Sequence, residues 1–432
     1  MTDIPKRFPS QNTDRYINYL RGVGEMMIQM EMEFDHHLDT DRLEKALDLT
    51  LDAEPILGCR FIQRWWRPYW ERLDKQNRGV LTIAENISEY EKFKGASIDP
   101  YIGPQLKACL LRTTGRDCLL IKVAHETSDA SGVRQIAGRI SSIYSRLADE
   151  PDYHPEPNIN GSRSTRQVLR CIPWYDYPII FYNYYRLWFI PSCIPPKSAH
   201  LPVIKDNDRT LEFISRRVPA DVLKRVTEYG HQHKGTINDI IITSFFYALI
   251  PAAHLGHKPQ LKLLVPVDLR RLKPNGRAES ICNLSGMELV DLGTDIGDSF
   301  DHTFERVSSF MCRRKERWIG IGEHVGLAPL SIIFPYAVLK RVLPYSIHVS
   351  FDVGMAAHCF TNMGAINKED VTFDMPPVDA RLLSPVDYPS HIIFCFSSYN
   401  GSLTVSAGSW PCSKKQIERF FDEMIGVLNG LS

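Results

Sequence analysis

The sequence predicts an α+β protein of mixed helices and strands in two domains. Three observations predict it. The chain has 432 residues, too long for one ordinary domain and comfortable for two. Both halves interleave runs of two-residue apolar alternation with runs of helical spacing. Between the halves, "DEPDYHPEPNINGSRS" is polar and proline-rich, as linkers are. The expected division is residues 1–200, ending in an aromatic-rich linker over about 150–200, and residues 201–432.

"DRLEKALDLTLDAEPIL" (41–57) predicts an amphipathic helix, because Leu43, Ala46, Leu47 and Leu51 share one face. Short strands and turns follow to about Arg116. "CLLIKVAHE" (118–126) predicts a strand with Leu119, Ile121, Val123 and His125 on one face. Val133, Ile136, Ile140, Ile143, Tyr144 and Leu147 then mark a helix ending near Ala148, with Ser128 or Asp129 as its cap. His125 therefore stands at a strand–loop–helix junction.

"WYDYPIIFYNYYRLWFIPSCIPP" packs aromatics between prolines, and only 12 residues separate Pro178 from Pro191, short of the ~20 a membrane crossing needs. Two readings stand: a buried or inter-lobe helix, or a surface that lies on lipid or roofs a greasy channel. "VGLAPLSIIFPYAVLKRVLPY" (325–345) could serve the same purpose.

In the second half, "TLEFISRRVP" predicts a strand, followed by a helix from Ala220 to about Tyr229. Residues 236–250 predict a helix with Asn238 near its cap, and "LKLLVPVDLRR" (261–271) an alternating strand. Asn400-Gly401 suits a tight hairpin turn with positive φ. Ser413 is the expected cap of the closing helix.

Composition excludes several classes. Basic and acidic residues number 51 each, so the excess expected of a nucleic-acid binder is missing. Ten scattered cysteines without a CxxC pair predict buried thiols in a reducing, cytoplasmic setting. "MTDIPKRFPSQNTDRY" has no apolar core, so no signal peptide is expected. "HHLD", "HQH" and "HLGH" lack accompanying ligands, so no metal site is expected. No phosphate-binding glycine loop appears, and neither Ser128 nor Ser131 lies in a GxSxG elbow.

One candidate constellation remains. His125 is followed by small residues, Ser128, Ala130, Ser131 and Gly132, which leave room for a ligand, and by Asp129, which can cap the helix or pair with a distant arginine. Neutral imidazole, with a pKa near ~6.5, can take a proton at neutral pH and return it. "AHETSDASG" resembles the HHxxxDG signature of the condensation-domain and CoA-dependent acyltransferase superfamily. "LEKALDLTLDAEPILGCRF", "IDPYIGPQLKACLLR", "GTINDIIITSFFYAL", "VPVDLRR", "TNMGAI" and "SYNGSLTVS" are similar to further motifs of that superfamily, in its order, over roughly 40–430.

The resemblance implies two chloramphenicol acetyltransferase-like lobes in a V, with a channel between them. It implies an acyltransferase that moves an acyl group from a thioester to an alcohol or amine. His125 would be the general base, with no covalent intermediate. Asp129 would be structural and paired with Arg270, whose guanidinium could grip the carboxylate bidentately and tie the lobes together. Asn283 would contact the oxyanion or substrate. No permanent cofactor is implied. The donor would be acyl-CoA or an acyl-phosphopantetheine carrier protein, whose phosphates Arg313, Arg314, Lys315 and Arg317 could meet. The acceptor would be a small-molecule alcohol or amine; the aromatic segment 174–190 adds the expectation of a lipid-like acceptor or acyl chain and of peripheral membrane contact. The first signature histidine is Ala124 and the signature glycine is Ala130. These departures keep open a degenerate binding or scaffold protein.

Overall fold

A computed structural model of the chain describes residues 3–188, 198–201, 210–252, 260–316, 318–327, 329–388 and 391–431. Two sheets organise it. The first has five strands in the order Asp379–Leu383, Met27–Phe34, Arg116–Ala124, Leu106–Thr113 and Leu81–Ala84. The second has six, in the order Ser285–Asp291, Lys262–Asp268, Cys359–Ile366, Ile393–Tyr399, Ser402–Ser409 and Glu212–Val218. Each carries its own apolar core, so the molecule is α+β with two lobes. Ile28, Met30, Ile121 and Val123 contribute to one core, and Leu263, Phe394 and Val405 to the other.

Helix Thr40–Ala53 starts where Asp39 accepts a hydrogen bond from Arg42 N, and it buries Leu43, Ala46, Leu47 and Leu51 against the first sheet. It stops short of the expected residue 57. Pro55 has no N–H to continue the ladder and disfavours helical backbone at Glu54. Helix Ala130–Asp149 covers the same sheet with Val133, Ile136, Ile140 and Tyr144.

In the second lobe, helix Ile237–Ala252 is apolar all round and forms the centre of the core. Its start is fixed by Thr236 and Asp239, which bond each other's backbone N–H at 2.9 and 3.4 Å; Asn238 lies inside the helix. Asn400 and Gly401 turn the hairpin with φ of 46° and 75°. Ser413 does precede helix Lys414–Asn429, but its hydroxyl makes no capping bond.

Asp379–Leu383 is not legible as a strand in the sequence. It pairs antiparallel with Met27–Phe34, from Asp379 opposite Glu33 to Leu383 opposite Gln29. Arg381 Nε donates to Glu31 at 2.8 Å, and Lys94 Nζ reaches the same buried carboxylate at 3.1 Å. A chain segment from beyond residue 370 thus completes the first sheet.

The aromatic segment forms helix Tyr177–Trp188. Ile180 and Tyr184 are buried, while Ile179, Phe181, Tyr182 and Tyr185 are exposed, so the helix is not an interior one. The rest of that segment, residues 189–197, lies outside the described residues. The second apolar stretch becomes helices Gly322–Leu327, Leu330–Ile333 and Tyr336–Asp352. The nine described cysteines are free thiols, and Cys193 lies outside the described residues.

Candidate active site

The strand that carries the candidate histidine ends at Ala124, one residue before it. The Ala124 carbonyl accepts from Thr127 N at 3.0 Å and from Thr127 Oγ1 at 2.8 Å, which closes a turn and leaves the sheet. His125 is therefore the first residue of the turn, half-buried, and it lines the channel between the lobes. Ala124 is fully buried opposite Met27 and does not line the channel.

The ring of His125 is oriented by one bond. Its Nδ1 lies 2.7 Å from the Ser128 carbonyl oxygen. A carbonyl only accepts, so Nδ1 carries the proton and Nε2 keeps its lone pair. No described protein group bonds Nε2. Burial pushes the His125 pKa below its ordinary value; the Ser128 carbonyl and the charges of Asp129 and Glu126 pull the other way without reversing it. The side chain is thus neutral at neutral pH, with a basic nitrogen available.

Asp129 caps helix Ala130–Asp149 through Oδ1, which accepts from Gly132 N at 2.9 Å. Oδ2 accepts from Arg270 Nη1 and from Leu284 N, both at 2.7 Å. The pairing with Arg270 is as expected, but the grip is not bidentate. Asp129 has spent one oxygen on the helix cap, and Arg270 Nη1 also bonds Asp268 while Nη2 bonds the Cys282 carbonyl. Burial alone would raise the Asp129 pKa; Arg270 and the two backbone donors hold it below the usual carboxylate range. The pair spans the lobes, 141 residues apart in sequence.

A Cβ at Gly132 would fall 2.2 Å from Ser128 Oγ, so a larger residue there would force the Ser128 hydroxyl to move. Ala130, two residues earlier, lines the channel. Asn283 is buried and lines the channel too. Its Oδ1 accepts from Ser285 N at 3.0 Å, a turn-forming bond, and its Nδ2 reaches the His125 carbonyl at 3.4 Å.

Sequence reasoning missed the groups that hold the turn from below. Glu126 is fully buried and takes Asn18 Nδ2 at 2.9 Å and Arg21 Nη2 at 3.1 Å. Arg163, from the linker, donates both Nη atoms to Asp14, at 2.9 and 3.0 Å, and Nε to the Ile281 carbonyl at 3.0 Å. Arg134 donates to the Ala365 carbonyl at 2.7 Å, where a bulge and Gly364 (φ 84°) interrupt the opposing strand. Only Glu126, next to His125 in a turn of small residues, carried a local signal. The others meet across distances no local pattern records.

The channel encloses about 410 Å³ and is mainly apolar, walled by Leu20, Met26, Leu264, Met287, Phe351 and Met363. His324 and His391 also line it. His391 has both nitrogens engaged, one with Asp387 at 2.5 Å and the other with the Ala357 carbonyl. Among the described residues no cluster of metal-ligating side chains occurs. The expected basic face is only partly free: Arg314 holds Glu288 through two bonds at 2.8 and 3.0 Å, and Arg317 lies outside the described residues.

No protein-family model and no curated protein matches the chain. Solved structures do. The first condensation domain of the calcium-dependent antibiotic synthetase, with a substrate analogue, is 15% identical over 98% of this chain and 97% of its own, with a TM-score of 0.70. Polyketide synthase associated protein 5 from Mycobacterium tuberculosis is 13% identical over 98% of both chains, with a TM-score of 0.66. The epimerization domain of tyrocidine synthetase B is 14% identical over 97% and 93%, with a TM-score of 0.63. Such identities establish architecture alone: with its two lobes and the channel between them, the chain has the fold of condensation domains.

Proposed function

We propose that the protein is an acyltransferase that moves an acyl group from a thioester to an alcohol or amine. The observation that carries this is the His125 ring. Its Nδ1–H is tied to the Ser128 carbonyl and its unbonded Nε2 belongs to a residue lining the channel. Nε2 takes the proton of the acceptor O–H or N–H as that atom attacks the thioester carbonyl. The tetrahedral oxyanion then re-forms the C=O bond and expels the thiolate, which receives the same proton from Nε2. No bond to the enzyme forms, and no resident cofactor is needed. Asn283 has one amide hydrogen beyond its bond to His125, and it is assigned to the developing oxyanion. Asp129 and Arg270 position the turn. The apolar walls favour a hydrophobic acyl chain or a lipid-like acceptor. The donor is acyl-CoA or an acyl carrier protein, and a cytoplasmic setting fits both.

His125→Ala tests the mechanism. Thiol release from a panel of acyl thioesters, offered with alcohol and amine acceptors, should fall by about 10²–10⁴-fold while the melting curve is kept. Unchanged turnover in the variant would refute the base. A second reading is a binding or scaffold protein of the same fold. The observation favouring it is the Ala130 methyl lining the channel at the signature-glycine position. Tight binding of an acyl thioester without consumption by the native protein would select it.

A further inference from the structure

The hairpin formed by Cys59–Ile62 and Tyr69–Arg72 ends in the tip "QRWWRP". Its inner aromatics are spent on the core: Phe61 and Trp70 are buried, and Trp70 Nε1 donates to Asp14 at 2.7 Å. Trp65 and Trp66 are 65% and 46% exposed. Two adjacent tryptophans left in water contribute little to folding. The tip is also locked in place. The Trp65 and Trp66 carbonyls accept from Ala337 N at 3.1 Å and Tyr336 N at 3.3 Å, the first N–H groups of helix Tyr336–Asp352. Directly before that helix, Ile332, Ile333 and Phe334 are exposed. Along it, Val342, Tyr345 and Val349 recur every three or four residues and are exposed, and exposed Val353 follows directly after its end, so this helix shows water an apolar stripe.

The other side of the same helix supplies Ile347, Ser350 and Phe351 to the channel wall. One helix therefore separates the apolar channel from an apolar exterior. Positive charge accompanies the exterior. Arg64, Arg67 and Arg341 are exposed and pair with no carboxylate among the described residues. Indole rings beside uncompensated guanidinium groups suit the phosphate-rich boundary of a bilayer. Among the described residues no single helix is long and apolar enough to cross a membrane.

We propose that the hairpin tip 64–67, residues 332–334 and the outer stripe of helix Tyr336–Asp352 form a docking surface for an anionic phospholipid bilayer. The protein rests on the lipid surface without crossing it, and the channel-wall helix faces the membrane that would hold a lipid-like substrate. The surface claim does not depend on acyl transfer, since its test reads binding and not turnover.

The full chain is floated on a density gradient with vesicles of phosphatidylcholine alone or with about one third phosphatidylserine. The wild type should rise with the anionic vesicles and much less with the neutral ones. A Trp65→Gln, Trp66→Gln, Ile332→Gln variant should partition at least about tenfold more weakly. An Arg64→Gln, Arg67→Gln variant should lose the preference for anionic lipid. Vesicles with brominated acyl chains should quench wild-type tryptophan emission, a readout that needs no variant. A wild type that stays at the foot of both gradients, without quenching, would overturn the proposal. So would a wild-type dimer that the tryptophan variant makes monomeric and that binds no vesicles, because a second copy would then cover the patch.

Discussion

At His125 a single carbonyl fixes which ring nitrogen is left free. With Nδ1 donating to Ser128 O, only Nε2 can exchange a proton with a ligand. Burial disfavours the imidazolium, so the group titrates below the ordinary ~6.5. The neutral form therefore predominates above that value. We expect kcat/KM to be flat through neutral pH and to fall only below ~6.5. Stability moves the same way. The unfolded chain takes up this proton first as pH drops, so the folded state loses stability between ~6.5 and the lowered pKa. A pH–rate profile whose acid limb lies above neutrality would contradict the assignment. The histidine and its aspartate are readable from the sequence because they sit four residues apart in one turn. The count of bonds to Asp129 is not, since it depends on which carboxylate oxygen the helix cap consumes.

Among elements, the least regular ones join the lobes. Arg134 leaves helix Ala130–Asp149 and meets strand Cys359–Ile366 where a bulge at Asn362–Ala365 opens space. A Cβ at Gly364 would come 2.4 Å from Arg134 Nη1, and residue 364 has φ of 84°. Gly364→Ala should therefore cost about 1–2 kcal/mol in backbone strain, and displace Arg134 as well. Thermal melting should show a lowered Tm; an unchanged Tm would mean the bulge adapts freely. "TNMGAI" is recognisable as a motif, yet nothing in it announces an arginine that arrives from far earlier in the chain. Regular helices and strands are legible wherever one face is buried, because burial imprints a period on the sequence. Trp65 and Trp66 leave no such mark because a hairpin tip has no period. The edge strand Asp379–Leu383 leaves none because its five residues are too few to show one.

The whole molecule depends on buried charges that cross between the lobes. Asp129 and Arg270 are both almost fully buried, and neither has water to fall back on. Removing one partner strands the other, a loss of about 3–5 kcal/mol for pairs of this kind. Arg270→Ala should lower the urea midpoint by a corresponding amount and reduce activity, because the turn that carries His125 loses its anchor. A variant as stable as the wild type would show that the lobes are held together elsewhere. Two lobes are predictable from length and from the ordered motifs. How they grip each other is not, since each grip joins residues from distant parts of the chain.

The five residues Asp379–Leu383 also change what counts as a unit of this molecule. They belong by sequence to the later half and by hydrogen bonding to the earlier one. A fragment cut off before them would carry Met27–Phe34 as a bare edge, with the Glu31 carboxylate deprived of Arg381. The earlier half is thus not a self-sufficient piece that evolution or an engineer can exchange at residue 200, and any transplant of that lobe must bring this short ribbon with it.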